Sequence, residues 1–256
     1  MNLNTYDVIY SLGNNCATAE YLRKYNLRKY AGPFDWITSP LKGAPFVCIL
    51  DHFADFLNFT FLQINPVSNH KASNLVCQHK QTGYLFFHDF FVNQPLMSQI
   101  QPVLDKYQRR VSRFENDLKS NKNILLVWYG ETGQTLSQTD ILFFTRKIKK
   151  LYRQNLKFLF IEYNGDDEGS VCLEPEKGVK LYQLPKQKLV YRKEGFLLWD
   201  ENTIGPLFST LSLNRSFLQT IRQKFKIFVL RLCSIFIINK IKRHIFIENF
   251  VKNNKN

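Results

Sequence analysis

The strongest constraint on the fold lies between residues 124 and 184. Ile124 to Tyr129, ILLVWY, reads as a strand with no polar face, Thr139 to Tyr152 as a helix, and Lys157 to Tyr163 and Val179 to Leu184 as two further strands. A strand apolar on both sides needs cover on both sides, and the intervening helix is the element that supplies it. The alternation therefore predicts an α/β fold, a mostly parallel sheet flanked by helices. Ligands in such sheets bind outside the carboxyl ends of the strands. That places Gly13 to Cys16, Gly130 to Gly133 and Asn164 to Asp167 on one candidate rim. The loop Gly130 to Gly133, GETG, is too short for a phosphate-binding fingerprint and lacks its lysine.

The first half supplies a chemical position on that rim. Asp7 to Leu12 is a short apolar run ending in Gly13, and Ala17 to Tyr25 has helical spacing, so Cys16 stands where a strand gives way to a helix. Unpaired N–H groups and the positive end of the helix dipole favour a thiolate there, which predicts a lowered pKa. Asn14 or Asn15 is placed to cap this helix, and Asn15 is also a candidate oxyanion donor. The bland alternative is a small buried hydrophobe, the ordinary fate of an unpaired cysteine.

Histidine selection is by position. His88 closes the apolar run Tyr84 to Phe87, where a strand could hold it against a cleft. His52 sits in a helical pattern, His70 in a polar loop, His79 on a hairpin strand and His244 in a basic tail. Cys77 and His79 would share a strand face, but two ligands without two more do not make a zinc site. No metal or cofactor is expected. The five cysteines are odd in number and scattered, which suits reduced thiols. The opening MNLNTYD has no basic and apolar leader pattern and reads as cytoplasmic.

The segments SLGNNC (Ser11 to Cys16), PFDW (Pro33 to Trp36), FHDF (Phe87 to Phe90) and YQRRVSRF (Tyr107 to Phe114) resemble an uncharacterised bacterial family of papain-like cysteine peptidases. Its members often lie among surface-polysaccharide genes. The resemblance covers about residues 6 to 200, and it implies a nucleophile at Cys16 and a base at His88. A two-lobed papain-like α+β arrangement is the alternative fold it brings. For the group that orients the imidazole, Asp35, Asp89 and Asn164 are candidates. Asp89 has a difficulty, because neighbouring side chains on a strand point to opposite faces.

Two regions add charge. Pro95 to Lys119 is a predicted helix, on which Arg109 and Arg113 at i,i+4 could hold a phosphate or carboxylate. From Arg215 to Asn256 there are ten Lys or Arg against Glu248 alone, whereas the whole chain has a net charge of +14. Lys224, Arg231 and Lys242 fall within about 20° on a helical wheel, a basic stripe suited to anionic lipid. The chain is thus expected to divide into an α/β catalytic domain over residues 1–214, closing near Gly205-Pro206, and a helical tail over 215–256. No nucleic-acid motif is present. The expected activity is cysteine-dependent acyl transfer on a peptide, ester or glycan-linked substrate, in the cytoplasm or peripherally at the inner membrane. A non-enzymatic membrane-surface scaffold in polysaccharide assembly is the competing reading.

Overall fold

The computed structural model describes residues 4–39, 41–65, 74–130, 135–164, 171–185, 189–191, 197–199 and 201–215. In order, the elements are β1 (Asn4–Tyr6), β2 (Val8–Gly13), α1 (Ala17–Lys24), β3 (Ile37–Thr38), α2 (Ala44–Leu50), a 3-10 turn (Phe59–Phe61) and β4 (Leu62–Ile64). Next come β5 (Asn74–His79), β6 (Leu85–Phe91), α3 (Leu96–Lys119), β7 (Ile124–Tyr129), α4 (Gln138–Leu151) and β8 (Lys157–Asn164). The last elements are β9 (Val171–Glu176), β10 (Val179–Pro185), β11 (Leu189–Tyr191), β12 (Leu197–Trp199), α5 (Glu201–Ser209) and β13 (Leu211–Leu213).

The main sheet has the order β2-β7-β8-β10-β9. Its first four strands are mutually parallel, and β9 closes the edge antiparallel to β10. The expectation of a mostly parallel sheet flanked by helices holds. Strand β7 shows why both faces are covered. Ile124, Leu126 and Trp128 enter one core, and Leu125, Val127 and Tyr129 enter the other, the two-residue period of a pleated strand. On β8, Phe158 and Phe160 alternate with Leu159 and Ile161 in the same way. Helices α2, α3 and α4 bring Phe46, Tyr107, Phe114 and Ile148 to the first face, while α1 and α5 bring Tyr21, Leu22 and Phe208 to the second. Each such side chain contributes roughly 1.5–3 kcal/mol on full burial.

A second sheet, β3-β6-β5-β4, is antiparallel throughout and shares the first core through Cys77, Phe86 and Phe90. Its strand β6 runs past the predicted end at Phe87. Leu75 faces Phe90 and Cys77 faces Phe86, so two steps along β5 match four along β6. The extra length forms a bulge around Phe87 to Asp89, a device that re-aims side chains.

Two predicted boundaries are corrected. The helical pattern in which His52 sits is helix only to Leu50, because His52 and Phe53 adopt φ of 56° and 62° and Phe53 turns fully into the core. Gly205 and Pro206 lie inside α5 and end nothing. At Gly205 a β-carbon would stand 3.0 Å from the Tyr25 hydroxyl, so close helix packing explains that glycine. Met1–Leu213 form one unit and Asn214–Asn256 another. The predicted tail helix lies outside the described residues, as do Gly133 and Gly165 to Asp167 of the candidate rim. Among the described residues no helix is long and apolar enough to cross a membrane, and no cluster of three metal-ligating side chains occurs.

Candidate active site

The two short motifs near the amino end are one structural unit. Gly13 ends β2 with φ of 68°, donates its N–H to Ser11 Oγ at 3.0 Å, and packs so tightly that a β-carbon would meet the Phe34 carbonyl oxygen at 3.0 Å. Only glycine combines that backbone conformation with that approach. The Asn14 carbonyl then accepts from the Ser39 N–H at 3.0 Å. Asn15 Oδ1 accepts from the Ala17 N–H, the first of α1, at 2.8 Å, and Cys16 is the N-cap residue just before the helix. The cysteine is thereby fixed just beyond the carboxyl end of β2.

Cys16 and His88, 72 positions apart, are brought together: Cys16 Sγ lies 3.5 Å from His88 Nε2. The bulge in β6 carries the imidazole to this contact. The Trp36 ring stands nearly perpendicular to it, centroids 6.0 Å apart. The thiol itself departs from expectation. Burial, with Cys16 only 6% exposed, pushes its pKa up to about 12; Glu20, Asp35 and Asp89 push the same way, and only the Cys16 backbone N–H opposes them. Desolvation of a thiolate outweighs one turn of helix dipole. With the thiol protonated, Sγ donates to Nε2 in the imidazole tautomer that carries its proton on Nδ1.

The candidates for an orienting group lie as follows. Asp35 is 2% exposed, and its Oδ2 lies 3.5 Å from Arg28 Nε. Burial raises its pKa against the pull of Arg28, Arg110, the Gly32 N–H and Arg113. Asp89 receives the Tyr107 hydroxyl at 2.7 Å and Lys106 Nζ on its other oxygen, so its carboxylate is committed to α3. The oxygen of Asn15 is committed to the helix, so an oxyanion contact from this residue falls to Nδ2. Asn164 ends β8, and its side chain lies outside the described residues.

The structure adds residues that sequence reasoning missed. On α3, Arg109 is exposed, and Arg110 and Arg113 are the part-buried pair; the inward face runs through Tyr107, Val111 and Phe114. Arg113 was already a candidate; for Arg110 the available signal was its place beside that stripe, which does not say which flank turns inward. Arg28 packs over the Trp36 ring, 5.2 Å from its centroid. Glu162 is 2% exposed at the carboxyl end of β8, accepts from the Leu136 N–H at 2.7 Å, and has its pKa raised by burial to about 7. A lone acid within an apolar strand was the available signal.

A thiol and an imidazole in contact, held above the carboxyl edge of a mixed α/β frame, define a protein built around a cysteine–histidine pair. The family model described as "Putative papain-like cysteine peptidase" matches residues 7–161, and the chain belongs to that family. An uncharacterized protein of Acanthamoeba polyphaga mimivirus is 30% identical over 133 residues, covering 46% of this chain and 59% of that relative. The chain therefore spans less than two thirds of the length of the relative it matches. No solved structure matches it.

Proposed function

We propose that the protein is a cysteine-dependent acyl-transfer enzyme in which Cys16 is the nucleophile and His88 the base. The observation that carries this reading is the 3.5 Å approach of Sγ to Nε2 across two separate sheets. Because the resting thiol is protonated, the imidazole takes its proton as sulfur attacks the acyl carbon, rather than storing a preformed ion pair. The resulting imidazolium protonates the leaving amine or alcohol as its bond to the acyl carbon breaks, leaving a thioester on Cys16. Water, deprotonated by the same nitrogen, releases the acid; a sugar hydroxyl in its place would make the reaction an acyl transfer. Asp35 is the favoured positioning residue, since it is buried next to Trp36, whose ring abuts the imidazole.

Peptide, ester or glycan-linked acyl groups are the proposed substrates, surface-polysaccharide metabolism the proposed setting, and the cytoplasm or inner membrane surface the proposed location. The membrane contact would fall to residues 215–256, and liposome co-sedimentation with and without them tests it: no difference on anionic vesicles ends that part. For the chemistry, a chromogenic thioester or peptide panel is assayed with wild type and Cys16→Ser. Turnover that survives the substitution overturns the reading.

A further inference from the structure

Three guanidinium groups gather at the site, and the chain leaves each of them incompletely bonded. Arg28 is nine-tenths buried, with 10% of its side chain exposed, and lies 3.5 Å from Asp35. Arg110 lies over the Tyr107 ring at 5.2 Å and Arg113 over the Tyr30 ring at 4.5 Å. At i,i+3 on α3 these two share a face, and both act electrostatically on Asp35, as does Arg28. Arg28 Nη1, Arg110 Nη1 and Arg113 Nε are buried atoms without a hydrogen-bond partner among the described residues. Buried polar groups are almost always paired. One carboxylate does not answer three guanidiniums; Asp89 is held by Lys106 and Tyr107, and Asp117, beneath Tyr30, by Tyr10, Tyr30 and Lys122.

The cluster is also adjacent to the reacting pair. Arg28 packs on Trp36, and Trp36 abuts His88. Arg110 packs on Tyr107, which bonds Asp89, the residue after His88. We propose that Arg28, Arg110 and Arg113 form a subsite for an oxyanion on the acyl substrate, a carboxylate or a phosphate group, next to Cys16 and His88. The guanidinium fork matches both groups, offering paired N–H donors to paired oxygens. The inference deepens the acyl-transfer reading and rests on it for the word substrate; the anion site itself stands or falls separately.

Calorimetric titration of the full chain with inorganic phosphate, and separately with succinate, at constant ionic strength is the test. Saturable binding of either probe is expected, weakened at least tenfold in Arg110→Gln and in Arg113→Gln. Arg113→Lys should retain an intermediate affinity, having kept the charge and lost the fork, and it also serves if the glutamine variants do not fold. Absence of saturable binding, or equal affinity in all folded variants, overturns the proposal. A preference between phosphate and succinate names the group. Alkylation then links the site to the thiol. Iodoacetate carries a carboxylate and iodoacetamide does not, so the glutamine variants should slow iodoacetate at Cys16 about tenfold and leave iodoacetamide unchanged. Phosphate binding without alkylation of Cys16 by either reagent would sink the thiol reading and keep the anion site; iodoacetamide labelling without anion binding would do the reverse.

Discussion

The antiparallel sheet presents two histidines, and the contrast between them isolates what makes a site. His79 on β5 is fully buried; its Nε2 meets the Asn58 carbonyl at 2.8 Å and its Nδ1 accepts from the Thr82 N–H at 3.2 Å. Both ring nitrogens are spent on backbone, and burial lowers its pKa. His88 on β6 is half-buried and turns Nε2 to a thiol. The cysteines differ less than the histidines. Burial pushes Cys77, two residues from His79, up to about 12, the same range as Cys16. Burial alone therefore does not mark a nucleophile. An imidazole nitrogen turned to the thiol, and charged side chains gathered beside the pair, are what separate the two regions.

Activity should break the comparison most widely. His88→Ala should lower turnover, and alkylation of Cys16 at pH 7, by about 10²–10⁴-fold, while Cys77→Ser should leave turnover within about twofold. Stability should invert the order. His79→Ala leaves a cavity and an unpaired carbonyl and should cost roughly 2–4 kcal/mol in denaturant unfolding, whereas the half-buried His88 should cost well under half of that.

Glu162 gives the next effect, and its direction follows from ionisation. The carboxyl titrates near 4.5 in the unfolded chain and near 7 when folded, so its contribution to stability is whole below pH 4.5 and lost as pH rises to about 7. The loss is at most about 3 kcal/mol. Glu162→Gln should abolish that part of the pH dependence and be the more stable protein at pH 8, as thermal midpoints across pH 4 to 8 would record. For the thiol itself, the rate of Cys16 alkylation should keep climbing between pH 7 and 10; a plateau near 7 would mean a preformed thiolate and contradict the burial argument. The smallest change is expected at a third histidine. His52 meets Glu115 at 3.0 Å while more than half exposed, and His52→Ala should change stability by less than about 1 kcal/mol.

Much of the frame was legible. β7 lies at its expected bounds, and the main helices α3 and α4 lie within one residue of theirs, because local periodicity decides which residues can hide. What misled was local pattern overridden by packing. The helical spacing beyond Leu50 reflected Phe53 and Leu57 reaching the same core by a turn, with left-handed backbone at His52 and Phe53. Cys16 was visible as a strand-to-helix junction, but its pKa was misjudged because depth is not written in the sequence around it. Arg113 was legible but was paired with the exposed Arg109 in place of Arg110, since only the packed helix shows which flank of the stripe faces Asp35.

The sequence by itself determined the parallel strands, their covering helices and a cysteine at the first rim, because periods of two and 3.6 residues report which side chains must leave water. The tertiary structure alone decided that His88 meets that cysteine and that three arginines converge beside it. Those contacts depend on the register between β5 and β6, on the bulge that adds length to β6, and on how α3 lies against Phe34 and Tyr30. These are long-range packing choices with no local pattern to announce them.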